Sequence, residues 1–330
     1  MATRREVAAL AGVSVATVSN VLNRSKRVSP EVTQRVLDAV RALGYRPNLI
    51  ARGLATSESR LVAMVADSLT NPRTAELLAG AEAAAAEHGY MLSVVVPRPG
   101  DPRELCELAS RGVDGVLLAP GCDHRRITEL IDPGLTVARC DPLAVDFEPA
   151  MYDLLRHLRD LGHERIAYLG GVTELSAGHA RYAAWRSAMA RAGLAIDPAL
   201  IADIPFDSPA DEGEGQRAMI GLLKRDVFFS AVCALSDPMA LGAIRVLTQS
   251  GYAVPGDVTV AGCDHLHSLS ALTPLLTTID ARIFETGRLL FLHLLELLRS
   301  QTPTHSPIPA RYIPGETLAG LRGRRTAAAL

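Results

Sequence analysis

A small all-α head joined to an α/β core of two parallel-sheet halves is the fold class that the 330-residue sequence predicts. Three observations predict it. The first 60 residues hold ten basic and four acidic side chains, a net +6, whereas the remaining 270 hold 24 and 32, a net −8. The head carries three short, separately capped helical patterns. From residue 61 onward, apolar strand-like runs alternate with helical ones.

Composition narrows the class. Hydrophobic residues make up 48% and charged residues 21% of the chain, and no apolar run reaches the roughly 18–20 residues that span a bilayer, which suits a soluble globular protein. The opening "MATRREVAAL" has no signal-peptide apolar core, so the expected location is the cytoplasm. Cys106, Cys122, Cys140, Cys233 and Cys263 lie far apart with no CxxC pair, which argues against a disulfide framework or a zinc ribbon. A basic head on an acidic body points to a polyanion as the head's partner.

In the head, Thr3 and Glu6 have capping-box spacing and open a first helix with Val7, Ala8, Leu10 and Ala11 on its apolar face. Gly12 permits the tight turn that ends it. Ser14 is a good N-cap for a second helix running to about Leu22. At about 100° per residue from Val15, residues Val18, Val21 and Leu22 fall between roughly 240° and 340°, while Ala16, Asn20 and Asn23 lie opposite. That outward face is small and polar, as a surface approaching another body closely requires. Ser29-Pro30-Glu31 starts a third helix, with Val32, Val36, Val40 and Leu43 as its expected buried stripe and Gly44 as its stop. Three short helices with a glycine turn between the first two describe a helix-turn-helix unit that binds DNA.

The segment "YRPNLIARGLATSES" follows. Pro47 and Asn48 announce a helix of barely two turns over 49–55, marginal on its own in water. Leu54 has two readings: packing on the body, or wedging between base pairs in the minor groove.

Candidate strands in the body are 61–66, 91–96, 115–118, 135–139, 166–169, 231–235, 258–262 and 310–313, with helices over 74–88, 149–161, 179–192, 212–224, 238–250 and 281–300. Ligands of open α/β sheets bind beyond the carboxyl ends of strands. The polar residues there are Asp67, Asp141, Ser236, Asp237, Asp264 and His265, with Arg181 as the cation among them. Singly each reads as a helix cap or ion pair; together they suit a small polar molecule such as a sugar or nucleoside. Enzyme signatures (GxSxG, HExxH, a P-loop, GxGxxG after a strand) are absent from the sequence. No ligand cluster completes a metal site around His265 and His267, and Cys263 has no positioned base. Neither catalysis, a cofactor nor a metal is expected.

Several stretches resemble the lactose-repressor (LacI/GalR) family of bacterial transcription regulators: "VAALAGVSVATVSNVLN", "VSPEVTQRVLDAVRALGYRPN" and "ARGLA" in the head, with "RGVDGVLL", "LGHERIAYLGG", "RYAAW", "SDPMALGAIRVL", "VAGCDH" and "PLLTTID" in the body. The resemblance implies a DNA-binding head over 1–46, a hinge helix and linker over 47–60, and a periplasmic-binding-protein-like core over 61–330 that dimerises and binds an effector. It implies an N-subdomain of about 61–146 and 281–305 and a C-subdomain of about 147–280 and 306–330.

By position in that resemblance, Val15, Ala16 and Asn20 face bases, Thr17 and Ser19 meet phosphates, and Leu54 is the minor-groove wedge. Thr3, Asn23, Arg27, Tyr45, Asn48, Ala51 and Arg52 complete the expected DNA contacts. Arg181 and Asp264 stand at the family's hydroxyl-binding positions, and Ser236 stands where asparagine is common. Asn71 opens the "NP" pair, followed here by Arg73 where the family often has an aromatic residue. Arg73 is therefore read as meeting either an anionic effector group or a solvent-exposed acid. The tail "LAGLRGRRTAAAL" lacks leucine heptads, so a homodimer is expected.

Overall fold

The computed structural model describes residues 2–23, 26–45, 58–98, 101, 103–140, 145–173, 178–205, 208, 210–269, 273–302 and 306–321, the Asn23 side chain excepted. The chain divides into two compact units, Met1–Ser59 and Arg60–Leu330.

The head is built from α1 (Arg4–Ala11), α2 (Val15–Asn23) and α3 (Pro30–Ala42). Its first helix starts with the capping box: Thr3 N–H donates to Glu6 Oε2 at 2.7 Å and Glu6 N–H to Thr3 Oγ1 at 3.3 Å. Gly12 ends α1 in the left-handed region at φ 65°, and α2 leaves at 101° to α1, the angle of a helix-turn-helix pair. Val7, Ala8, Ala11, Val18, Val36, Ala39 and Tyr45 form the head's core. Leu43 departs from the expected stripe and is 36% exposed. The helix stops one residue earlier, Ala39 takes the buried position, and the chain turns at Gly44 (φ 57°) to bring Tyr45 back.

In the core, β1 (Leu61–Val65), α4 (Pro72–Glu87), β2 (Met91–Val95), α5 (Arg103–Cys106), β3 (Gly115–Leu118), α6 (His124–Leu130) and β4 (Thr136–Arg139) build a parallel sheet of order β2-β1-β3-β4. After β5 (Val145–Asp146) come α7 (Glu148–Asp160), β6 (Ile166–Leu169), α8 (His179–Arg191), β7 (Ile201–Ala202), α9 (Glu212–Leu223), β8 (Ala231–Ala234), α10 (Asp237–Gln249) and β9 (Thr259–Ala261), giving a second parallel sheet, β7-β6-β8-β9. The chain then runs through β10 (Thr278–Asp280), α11 (Ile283–Leu298), β11 (Ile308–Pro309) and β12 (Arg311–Ile313). The eight main strands lie where the apolar runs predict them. The two- and three-residue strands β5, β7, β10 and β11, and the short helices α5 and α6, are too brief to show a period.

Strand alternation sorts the core as the pleat requires. Val62, Met64 and Ala66 face one apolar cluster while Ala63 and Val65 face another. In the second sheet Ile166 and Tyr168 join the first of these clusters, and Ala167 and Leu169 a third. The first cluster runs without interruption from α4 and α11 to α7 and α8, so both lobes share one interior. The crossings are short: β5 pairs in parallel with β11, and β10 pairs antiparallel with β12.

Two helix pairs pack backbone against backbone through reciprocal glycines. A methyl group at Gly80 of α4 would collide with the Phe284 carbonyl of α11, and one at Gly287 with the Leu77 carbonyl. Gly215 of α9 and Gly242 of α10 stand in the same relation to Met239 and Glu212. Gly221, by contrast, is exposed on α9 with nothing within 4 Å of an added methyl. The expected result is a sign difference: Gly80→Ala lowers stability by about 1–3 kcal/mol through overpacking, whereas Gly221→Ala raises it by about 0.5–1 kcal/mol. Urea denaturation of the two variants beside the parent checks this.

Candidate functional site

In the head, the outward face of α2 forms as its angular sorting predicts. Val18 is fully buried, while Val15 is 41% exposed and Ala16 is exposed beside it. Asn20, Thr17 and Ser19 are partly exposed. Ser14 fixes the start of the helix by accepting from Thr17 N–H at 3.1 Å, and the two hydroxyls lie 2.9 Å apart. The exposed basic side chains Arg5, Lys26, Arg27 and Arg35 surround this small-residue helix in sequence. Thr3 is exposed but committed to its cap. Tyr45, an expected DNA contact, is 9% exposed, packs in the head's core and accepts from Arg4 Nε at 3.2 Å. The side chain of Asn23, and Asn48, Ala51, Arg52 and Leu54, lie outside the described residues.

The core's candidate cluster is centred on Asp264, which is 3% exposed just beyond β9. Its Oδ1 accepts from two guanidinium groups, Arg181 Nη2 and Arg73 Nη1, each at 2.7 Å. Arg181, in the first turn of α8 and 8% exposed, also donates Nη1 to the Leu235 carbonyl at 2.7 Å and lies 5.4 Å over the Phe147 ring. Arg73 comes from the first turn of α4, on the first-sheet lobe, and its side chain is 34% exposed. The acid that Arg73 meets is thus buried, not solvent-exposed. The pair spans 191 residues of sequence and bridges elements attached to different sheets.

Ser236 and Asp237 are held by protein partners. The sequence places both among the effector ligands, but their side chains are turned inward, 5% and 1% exposed. Ser236 caps α10, accepting from Met239 N–H at 3.2 Å and donating to the Ala210 carbonyl at 2.7 Å. Asp237 accepts from the Thr278 hydroxyl and from Leu266 N–H, tying α10 to β10 and to the turn after Asp264. His265, exposed with φ 58°, stands at the rim of that turn. Asn71 caps α4 by accepting from Arg73 N–H at 3.0 Å, and exposed Asp67 accepts from Ser68 N–H at 2.8 Å. Asp141 lies outside the described residues.

Burial pushes Asp237 up to about 7, with the neighbouring Asp264 charge as the second cause. Asp264 rises to about 6 by burial, opposed by Arg181. The folded protein therefore holds protons on this pair more tightly than the unfolded chain does. The stability these groups contribute declines as pH rises from about 4 towards 7. Chemical denaturation between pH 5 and pH 8 is expected to show this fall, and Asp237→Asn, which cannot ionise, to flatten it.

The sequence missed the Tyr168, Tyr182 and Trp185 cluster, whose rings lie 5.1–6.0 Å apart. Tyr182 and Trp185 have the i, i+3 spacing that signals a shared helix face, but their junction with β6 is a tertiary contact. A cavity of about 630 Å³ between α7 and β12, lined by Asp153, His157 and Tyr312 among others, shares no lining residue with the Asp264 cluster.

Comparison with known proteins places both units. Residues 3–48 match the family of bacterial regulatory proteins described as the lacI family, and residues 155–318 match a periplasmic binding protein-like domain. The chain is 33% identical over 312 residues to the HTH-type transcriptional repressor PurR of Mannheimia succiniciproducens, covering 88% of this chain and 91% of that one. It is 34% identical over 309 residues to the ribose operon repressor of Escherichia coli, with the same shares covered. Among solved structures, the lac repressor dimer bound to operator and the anti-inducer ONPF superposes with a TM-score of 0.76 at 25% identity, covering 96% of this chain and 99% of that one. The complex of the transcriptional regulator CelR with cellobiose gives 0.67 at 29% identity, covering 96% and 100%.

Proposed function

The chain belongs to the lacI family of DNA-binding bacterial regulatory proteins, and from that premise we propose that it is a cytoplasmic transcriptional repressor acting by binding and not by catalysis. It binds a near-palindromic operator as a homodimer, two heads on two half-sites, with Val15, Ala16 and Asn20 facing base edges and Thr17, Ser19 and Arg27 facing phosphates. Hinge residues 47–60, with Leu54 as wedge, order together at the operator centre. The observation that carries this reading is the exposed Val15–Ala16 face on a second helix set at 101° to the first.

The core answers to a small polar effector, sugar or nucleoside-like, held between an N-subdomain of about 61–146 and 281–305 and a C-subdomain formed by the rest. Asp264, Arg181, Arg73, His265, Asp67 and Asn71 are its proposed contacts. Arg73 and Asp264 reach towards each other from the two sheets, which supports a site sensitive to the angle between lobes. An effector that binds one angle better than another shifts the hinge spacing and with it operator affinity.

A thermal-shift screen of sugars and nucleosides, followed by operator titration with each stabilising compound, tests the effector arm. The expected result is a compound that raises the melting temperature and weakens or strengthens operator binding. Operator binding that no stabilising compound alters would favour a regulator controlled by a partner protein or acting without an effector.

A further inference from the structure

Arg73 uses only part of its guanidinium in the bridge to Asp264. Nη1 donates to the carboxylate, and among the described residues Nε and Nη2 have no protein partner on a side chain that is one-third exposed. Arg181 is differently placed, buried and held by both Leu235 and Asp264. The first turns of α4 and α8 each deliver an arginine to the same carboxylate oxygen, and α10 begins beside it at Asp237. Helix starts carry partial positive charge, so their field adds to that of the two guanidiniums. The two guanidiniums share Oδ1 of a single carboxylate, with Asp237 the second acid beside it.

This decides what a ligand gains on entering. A neutral hydroxyl that took Arg73's place on Asp264 Oδ1 would exchange an ion-paired hydrogen bond for one with a single charged partner and send Arg73 to water. An anion instead offers Arg73 a partner of equal strength, with bidentate geometry for its planar fork, while Arg181 stays on Asp264. Resting on the effector-binding reading above, we propose that Arg73 is a specificity-determining residue that makes this core select a small molecule bearing a phosphate or carboxylate group.

The test is thermal denaturation of the full chain in sodium phosphate, sodium malonate or sodium chloride at matched ionic strength, for the parent, Arg73→Gln and Arg73→Lys. Phosphate or malonate is expected to raise the parent's melting temperature above its value in chloride. Arg73→Gln should weaken the apparent affinity for that anion at least about tenfold, and Arg73→Lys, which keeps the charge but not the fork, should retain part of it. Loss of a merely structural ion pair would move the melting temperature in chloride without changing the dependence on anion. Anion binding by the basic head is common to all three proteins and cancels. Equal responses of the parent and Arg73→Gln to all three salts would overturn the proposal. Operator retention by the parent, measured on the same preparation, tests the regulator reading separately: retention with no Arg73-dependent anion response sinks only the anion selectivity.

Discussion

Raising the salt from about 50 to about 200 mM lowers operator affinity roughly 10³-fold if six phosphate contacts form in the dimer, and further if more do. The head supplies enough cations for this. Arg5, Lys26, Arg27 and Arg35 are exposed in each copy, whereas Arg4 is tied to Tyr45 and Arg41 is paired with Asp38. Three contacts per head therefore suffice, and counterion release converts them into a log–log slope of about −5. Arg27→Ala should make that slope shallower by about one unit for each copy bound and weaken all sequences alike, because a phosphate contact carries no base information. Asn20→Ala should behave oppositely, with the slope unchanged and discrimination at one base pair reduced by about 1–3 kcal/mol. Fluorescence anisotropy on a labelled operator over a salt series separates the two variants.

Asp264→Ala is expected to destabilise the core by about 3–5 kcal/mol, because it leaves the buried Arg181 charge without its counter-ion. Arg73→Ala should cost no more than about 1 kcal/mol, because the lost side chain is one-third exposed and Asp264 keeps Arg181 as its counter-ion. Combining Asp264→Ala with Arg181→Ala should cost clearly less than the sum of the single losses, since the second change removes the orphaned charge. Trp185, the chain's single tryptophan, is buried on the same helix as Arg181 and reports the transition directly in a urea titration. An Asp264→Ala loss below about 1 kcal/mol would mean that the cluster does not hold this end of the core together.

Local chemistry was the legible part of the sequence. A capping box four residues long, a glycine at positive φ and a Ser-Pro-Glu helix start are each decided locally, and each formed where it was read. The buried face of α2 followed from angular spacing alone, because Val18 has no alternative partner but the head's core. Leu43 and Tyr45 were harder, since the fate of a residue just beyond a helix depends on how the chain turns back. The candidate ligands divided on the same principle. Arg181 and Asp264 came together as the family resemblance implies, 83 residues apart. Ser236 and Asp237 were drawn off by the cap of α10 and by Thr278, a partner on a three-residue strand with no periodicity to reveal it. The Arg73–Asp264 bridge depends on how two sheets meet, which no local pattern encodes.

The head is expected to read DNA sequence. Double-stranded fragments retained from a randomised pool by the full-length protein, then measured against a base-shuffled control at about 150 mM salt, test it most directly. The retained fragments are expected to share a near-palindromic site bound about 10³-fold or more tightly than the control, with the preference reduced by Asn20→Ala. Retained fragments with no common site, bound no better than the shuffled control, would contradict it.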